Sequence, residues 1–249
     1  MTPSVVADRV GVEFWFDRQR RVMTPFAARI RRHASHTWGL RAVDFRIDGG
    51  GSVALIGATG SGKTTLLRTL AGVLGTDEGR LTVNGRVGSL LSTNGGLMTS
   101  LTGRENTLLI GALAGLSRSQ ARAATELVQQ RSKLGESYER PVSSYSQGMR
   151  ARLGFSIIEV SQPEILLLDE VHEALDDEFR RLLEERVLEV VGAGGIVVAA
   201  GHDHALLSRI CARALLLREG RLVADGGFAE VRREYLESPT GEMSPATAS

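Results

Sequence analysis

The sequence predicts an α/β domain built on a mostly parallel sheet. A short apolar run at 53–56 leads through a glycine-rich turn into a segment whose leucines, at 66, 67, 70 and 74, have helical spacing. Further along the chain, compact apolar runs alternate with amphipathic segments, which is the pattern of strands joined by helices. One of these runs, 165–168, ends in the adjacent carboxylates Asp169 and Glu170.

The glycine-rich turn fits G-x-x-x-x-G-K-[ST], the pattern of a phosphate-binding loop. Glycines let the main chain wrap closely around phosphate oxygens, and the helix beyond the turn adds amide donors and partial positive charge. Lys63 can reach the β- and γ-phosphates, and the Thr64 hydroxyl can ligate Mg²⁺. We predict that the nucleotide contacts here are Gly57, Ala58, Thr59, Gly60, Ser61, Gly62, Lys63, Thr64 and Thr65.

Composition narrows the class of protein. The chain has 249 residues, enough for one large domain with a full core, and its net charge of +1 does not suggest general nucleic-acid binding. A single cysteine, Cys211, cannot form an internal disulfide, which favours a reducing, cytosolic setting. The N-terminus lacks the features of a signal peptide, and the longest apolar stretch, 108–116, is too short to span a bilayer. Any membrane role is therefore expected to come through a partner or a surface contact.

In the N-terminal part, alternating apolar residues predict a strand at 5–16, and a basic insertion follows at 17–40. The insertion holds six arginines between residues 18 and 32, and Thr24-Pro25 is a good helix start. We expect a short basic amphipathic helix, and the segment 18–36 is suited to a membrane surface or a membrane partner. A solvated surface insertion is the alternative interpretation.

The pattern of strands and helices predicts a single domain over residues 1–237. Strands are expected at 42–47, 79–84, 87–91, 165–168, 196–200 and 214–218. Helices are expected at 64–74, 102–134 with a break at 115–117, 146–160, 176–191 and 203–210. Residues 238–249 are rich in Ser, Pro, Thr, Ala and Gly and are predicted to form a disordered tail.

Residues at the ends of two strands and at the start of one helix complete the predicted site. Asp169 can hold Mg²⁺, usually through water, and Glu170 can accept a proton from the water that attacks the γ-phosphate, or orient that water. His202 follows a strand and is expected to point toward the phosphate, with a His-x-His metal site as the alternative. Ser146 and Gly148 begin a helix, where a hydroxyl and amides can meet an anion, although an ordinary serine cap is the competing interpretation.

The order of these motifs resembles the nucleotide-binding subunit of ABC transporters over about residues 5–237. By similarity, 145–149 stands at the signature motif, 174–176 at the D-loop and His202 at the switch histidine. The Tyr-Ser-Gln-Gly-Met form of the signature looks like that of polysaccharide exporters, which carry O-antigen, teichoic acid or galactan. Two other features also resemble those exporters. They are the runs at 101–106 and 111–117, and the basic insertion, which looks like a gate-helix region.

The resemblance implies a P-loop NTPase fold of the ABC type. This fold has a mostly parallel core sheet, an antiparallel β subdomain and an α-helical signature subdomain, here at 100–160. ATP and Mg²⁺ are the implied ligands. Two copies are expected to meet head to tail, so that each ATP lies between one phosphate loop and the other copy's signature. The implied partner is a separate polytopic permease, at the cytoplasmic face of the plasma membrane.

The resemblance also implies further nucleotide contacts. Phe14 fits the position of the adenine-stacking aromatic best, with Trp15 and Phe16 open as alternatives. The Q-loop position falls on Ser92, where Gln or Glu is usual, which puts the γ-phosphate and Mg²⁺ contact of that position in doubt. The signature and the D-loop are expected to contribute Ser146, Gln147, Gly148 and Asp176.

The function expected from the resemblance is ATP hydrolysis that drives the permease to export a polysaccharide or lipid-linked glycan. Three alternatives stay open at this point. The chain could be an ATP-binding regulator with weak hydrolysis, a cassette for importing another substrate or exporting a drug, or an ATPase with a soluble role outside transport.

Overall fold

The computed structural model describes residues 2–16, 35–91, 96–170 and 177–237. The first sheet has three antiparallel strands in the order β2-β1-β4. They are β1 (Ser4–Phe16), β2 (Ser35–Asp48) and β4 (Glu78–Asn84). β2 begins well before the predicted strand at 42–47, so residues 35–40 belong to the sheet and not to the insertion. Pairing with the far half of β1, from Glu13↔Trp38 to Phe16↔Ser35, extends a segment whose own pattern is not alternating.

The second sheet has six strands and forms the centre of the molecule. In spatial order they are β5 (Val87–Leu90), β6 (Ile165–Asp169), β7 (Ile196–Ala200), β3 (Ser52–Ile56), β8 (Arg213–Arg218) and β9 (Arg221–Gly227). All neighbours are parallel except the β8–β9 hairpin. The predicted fold class is confirmed, and β9 is an element that the sequence analysis missed.

Seven α-helices lie in the described ranges, together with two short 3-10 helices, Gly135–Glu139 and Val142–Ser144. The α-helices are α1 (Lys63–Leu70), α2 (Gly103–Leu113), α3 (Arg118–Ser132), α4 (Gln147–Ser161), α5 (Asp177–Gly192), α6 (His204–Ile210) and α7 (Phe228–Glu237). Capping boxes at Thr102 and Ser117 start α2 and α3, which explains the break that the sequence predicted. α1 ends four residues earlier than predicted, because Gly72 turns the chain with a positive φ of 72°. α7 was missed.

The core consists of three apolar clusters. Both faces of the central strands are buried: Leu166 and Leu168 of β6 face one cluster, whereas Ile165 and Leu167 face another. The first cluster lies under α4 to α7, and the second lies between the central sheet, α1 and the antiparallel sheet. The third fills a separate helical unit of α2, α3 and α4 around Tyr138. None of the helices in the described ranges has the length and apolar composition needed to cross a bilayer.

Candidate nucleotide site

The predicted phosphate loop connects the end of β3 to the start of α1, at the edge of the sheet where the parallel strands end. Ser61 N–H donates to the carbonyl of Ala58 at 3.1 Å, and Leu66 N–H donates to the carbonyl of Gly62 at 2.8 Å, where the helix begins. The N-cap residue Gly62 has no side chain to accept from the first-turn amides, and that turn contains no acidic residue. An anion at this end would therefore meet amide donors and the positive end of the helix dipole.

Lys63 lies across the inside of this loop. Its side chain is only 7% exposed, and its ammonium group donates to the carbonyls of Gly57 at 2.6 Å and Ala58 at 3.0 Å. A buried ammonium is costly without such oxygen partners. The loop therefore holds a positive charge at the place where the sequence predicts the β- and γ-phosphates.

Three main-chain segments meet at glycines behind the loop, and we call this contact the glycine junction (Gly39, Gly62 and Gly220). A Cβ on Gly62 would lie 2.7 Å from the carbonyl oxygen of Gly39, and one on Gly220 would lie 2.9 Å from the same atom. Gly220 N–H donates to the carbonyl of Ser61 at 2.9 Å, and its own carbonyl accepts from Arg41 N–H at 2.7 Å. The junction thus joins β2, the phosphate loop and the β8–β9 turn without intervening side chains.

Gly62→Ala is expected to lower the free energy of unfolding by about 2 kcal/mol or more relative to Gly60→Ala. Both glycines have positive φ, 109° at Gly62 and 81° at Gly60, but nothing lies within 4 Å of a Cβ on Gly60. The control therefore shares the positive φ but not the close contacts behind the loop. Chemical denaturation of the two variants measures the difference, and equal losses would contradict the packing role of the junction.

Asp169 ends β6 beside the phosphate loop and is 6% exposed. Burial raises the pKa of Asp169 above its ordinary value, and a hydrogen bond with the Thr64 side chain opposes that rise. Within the described ranges, its Oδ1 atom is buried without a hydrogen-bond partner. A buried carboxylate oxygen with spare capacity next to a threonine hydroxyl suits Mg²⁺, which prefers oxygen ligands and keeps waters and substrate phosphates as the others.

Glu170 follows immediately and has a positive φ of 54°, which is rare for a residue with a side chain. Its N–H donates to the carbonyl of Ala200 at 3.0 Å, so the strained residue is tied to the end of the neighbouring strand β7. Its Oε1 atom lies 3.2 Å from Nε2 of His202, and both side chains are partly exposed. The carboxylate and imidazole thus form a pair at the edge where Asp169 and Lys63 also lie.

The alternative of a His-x-His metal site at 202–204 finds no support. His204 packs edge-on against Tyr235, with ring centroids 5.7 Å apart. In the part of the chain that the structure describes, no group of three or more His, Cys, Asp or Glu side chains is arranged to hold a metal ion. Asp203 instead caps α6 by accepting from Leu206 N–H at 2.9 Å.

Ser146 is the N-cap of α4, and its hydroxyl accepts from Met149 N–H at 3.2 Å. Within one chain this is the ordinary cap that the sequence analysis kept as the competing interpretation. Gln147 and Gly148 form the first turn of α4, which contains no acidic residue. These residues belong to the helical unit, whereas the phosphate loop and Asp169 belong to the central sheet.

Phe14 lies on the loop side of β1. A Cβ on Gly39 would be 2.4 Å from Cε2 of Phe14 and 3.1 Å from Cγ2 of Thr65, so the ring is close to the start of α1. Trp15 instead lies against His36, with ring centroids 5.3 Å apart. Of the two residues, Phe14 is thus the one placed beside the start of α1, and its contact with adenine stays a prediction.

Several predicted features fall outside the described residues. These are Ser92, Asp176, the side chain of Phe16, residues 17–34 of the basic insertion and the tail at 238–249.

A pocket of about 180 Å³ adjoins the phosphate loop on the side of β8. Its lining beyond the loop comes from residues 216–219 and from Tyr235 of α7. The sequence analysis predicted the strand that supplies 216–218 but not α7, so it did not include Tyr235 in this wall. The spacing of Phe228, Val231 and Tyr235 is the signal that could have revealed α7.

The fold and the loop define this chain as an ATPase domain of the P-loop class. The profile of the family described as ABC transporter matches residues 40–173. The chain therefore belongs to the ABC transporter family.

Curated relatives agree with this family. The O-antigen export system ATP-binding protein RfbB of Klebsiella pneumoniae is 36% identical over 196 residues, which cover 79% of this chain and 80% of the relative. The protein of that name from Myxococcus xanthus is 33% identical over 207 residues, and the match spans 47% of its length. The teichoic acids export ATP-binding protein TagH of Lactococcus lactis is 33% identical over 198 residues, covering 80% of this chain and 42% of TagH.

Solved structures show the same fold. An ATP-binding subunit of an ABC transporter superposes with a TM-score of 0.72 over 93% of this chain and 92% of that chain, at 22% identity. A dimeric ATP-binding cassette in a post-hydrolysis state, bound to ADP and phosphate, superposes with a TM-score of 0.70 over 90% of this chain and 98% of that chain, at 19% identity.

Proposed function

We propose that this chain is the ATP-binding and ATP-hydrolysing subunit of an exporter that moves a polysaccharide or lipid-linked glycan across the plasma membrane. The observation that carries the proposal is the match to the Klebsiella export protein, which runs over about four fifths of both chains. The TagH relative is named for the export of teichoic acids, a second cargo within the same group of relatives. The names of both relatives support a polysaccharide as the cargo.

The residues at the sheet edge support a direct hydrolytic role. Glu170 holds and deprotonates the attacking water, and His202, 3.2 Å from its carboxylate, orients that carboxylate. Lys63 offsets the charge that develops on the phosphates. Thr64 and Asp169 would hold Mg²⁺, which draws charge from the phosphate oxygens when bound.

A second copy of the chain completes the site in this proposal. The phosphate loop belongs to the sheet and Ser146 belongs to the helical unit, so the two halves of the motif set lie on different parts of one chain. Head-to-tail pairing brings each half to the partner's half and gives two equivalent sites. Contacts to the γ-phosphate then exist only while the triphosphate is intact, so hydrolysis lets the copies separate.

An exposed apolar row supports a permease as the membrane partner, at the cytoplasmic face. Leu109 and Leu113 lie one turn apart on α2, and Leu113 is 79% exposed. Met98, a further exposed apolar residue, lies in the segment that precedes α2. Such a row at the surface of a helical unit suits contact with apolar side chains of another protein. The basic segment 18–36 would add an electrostatic contact with lipid headgroups.

Leu113→Glu is expected to abolish co-purification with the permease while leaving the chain folded and able to bind ATP. A carboxylate in an apolar contact costs far more than it gains, unless it is paired. Leu188→Glu on α5 is the matched control, because Leu188 is also an exposed leucine on a helix, at 61%. Co-expression of each tagged variant with a candidate permease measures the effect, as the amount of permease recovered with the chain. Equal recovery of both variants would remove the row from the interface.

Export itself can be tested in cells that lack this chain. We expect the lipid-linked glycan to accumulate on the cytoplasmic side and its surface form to disappear. The wild-type chain should restore export, whereas Glu170→Gln should not. Full restoration by Glu170→Gln would instead favour an ATP-binding regulator, and unchanged surface glycan in cells without the chain would contradict the proposed cargo.

A further inference from the structure

Two connecting segments of the helical unit run side by side and are bonded through their main chains. One segment, 99–103, leads into α2, and the other, 141–145, leads into α4. Val142 N–H donates to the carbonyl of Leu101 at 2.9 Å, and Ser143 N–H donates to the carbonyl of Thr99 at 2.7 Å. The segment that leads into α2 and the segment that leads into α4 are therefore neighbours.

The hydroxyl of Tyr145 connects the first residue of α2 to the 3-10 helix Gly135–Glu139, which precedes the 141–145 segment. It donates to the carbonyl of Ser137 at 2.6 Å and accepts from Gly103 N–H. Gly103 is the first residue of α2, so its N–H is one of the amides that a helix leaves without an internal partner. Tyr145 is 4% exposed, and a Cβ on Gly103 would lie 2.8 Å from its hydroxyl oxygen. Only a glycine at 103 leaves room for this contact.

The segment before α2 is itself fixed to the helix by a fully buried side chain. Asn106 accepts from Met98 N–H at 2.7 Å and donates to the carbonyls of Met98 at 3.0 Å and Thr102 at 2.9 Å. The stretch from 98 to 106 thus behaves as one rigid piece. Tyr145 bonds to Gly103 within that piece, and Ser146 is the residue that follows Tyr145 in the chain.

We propose that Tyr145 is a positioning residue for the signature segment, holding Ser146 and the first turn of α4 in a fixed place relative to α2. This inference rests on the proposed function, in which those residues meet the ATP of a second copy. Without the hydroxyl, the 141–145 segment keeps its main-chain bonds but loses the bridge at its last residue. The segment then presents Ser146 in several orientations, and ordering it costs conformational entropy when two copies associate.

The experiment compares three full-length chains that all carry Glu170→Gln, so that MgATP persists during the measurement. The first has no other change, the second adds Tyr145→Phe and the third adds Tyr138→Phe. Tyr138 is a matched control because its buried hydroxyl also makes two hydrogen bonds, with Thr107 Oγ1 at 2.8 Å and with the carbonyl of Thr125 at 3.1 Å. Its partners are Thr107 of α2 and Thr125 of α3, and neither belongs to the 141–145 segment or to the first turn of α4.

Sedimentation velocity in MgATP gives the dimer dissociation constant of each chain. Since each dimer contains two copies of the bridge, we expect Tyr145→Phe to raise that constant about 5- to 20-fold, against about twofold or less for Tyr138→Phe. Binding of MgATP to the dilute monomer, followed with a fluorescent ATP analogue, should be equal in all three. Thermal unfolding should show a similar loss of stability in both double variants.

Two results would overturn the positioning role while leaving the proposed function intact. One is a dimer constant for Tyr145→Phe equal to that of the parent chain, and the other is an equal rise for Tyr138→Phe. If the parent chain does not dimerise in MgATP, the head-to-tail site itself is refuted, and the role of Tyr145 is refuted with it. The two failures are therefore distinguishable.

Discussion

Replacing Glu170 by Gln is expected to lower ATP turnover by roughly 10²-fold or more while leaving MgATP binding unchanged. The amide has the same shape as the carboxylate but cannot take a proton from water. It can still occupy the place 3.2 Å from Nε2 of His202, so the neighbourhood of the phosphate loop is preserved. Phosphate release at saturating MgATP measures turnover, and calorimetry measures binding.

Glu164→Gln is the control for this loss. Glu164 directly precedes β6, at the end of the strand opposite to Glu170, where it accepts from Arg86 N–H at 2.9 Å. A general effect of removing one negative charge would appear in both variants, whereas a catalytic effect should appear only at Glu170. Turnover of the Glu170→Gln chain within a fewfold of the wild type would exclude Glu170 as the base.

Lys63→Ala is expected to weaken ATP binding by about 10- to 100-fold, because it removes charge-assisted hydrogen bonds in a nearly dry environment. The change also leaves the carbonyls of Gly57 and Ala58 without the ammonium donor that they have now. A moderate fall in thermal stability should therefore accompany the loss of affinity. Titration calorimetry with ATP, alongside a thermal melt, separates the two effects.

The chain offers a matched control in Lys133, which is its only other lysine. Lys133 lies at the end of α3, is half-exposed and pairs with Glu178. Lys133→Ala removes the same charge from the chain without touching the loop, so its ATP affinity should stay within about twofold of the wild type. Equal affinity in Lys63→Ala and the wild type would reject the phosphate-loop assignment.

The central sheet could be predicted because its inner strands are short apolar runs buried on both faces, as in β6 and β7. The antiparallel edge of the sheet was harder to predict from the sequence. β9 exposes alternate residues at the rim of the sheet, and its pattern is interrupted by Asp225 and two glycines. The early start of β2 depends on pairing with β1 across the insertion, which no local pattern encodes.

The candidate site, too, could be predicted from the sequence only in part. The phosphate loop, Asp169 and His202 could be brought together in advance, because parallel strands end at a common edge. The positive φ of Glu170 could not be predicted, because it depends on a bond to Ala200 on another strand. The hydroxyl bridge of Tyr145 was equally hidden, since its partners are backbone atoms of distant residues.

The glycine junction has a consequence for motion in this molecule. Main chains in direct contact have no side-chain rotamers with which to absorb a sliding displacement, so a shear between the two sheets would have to break the bonds of Gly220 to Ser61 and Arg41. The antiparallel sheet and the phosphate loop therefore travel together as one body. A displacement driven by ATP hydrolysis would therefore have to occur in parts of the chain outside this body.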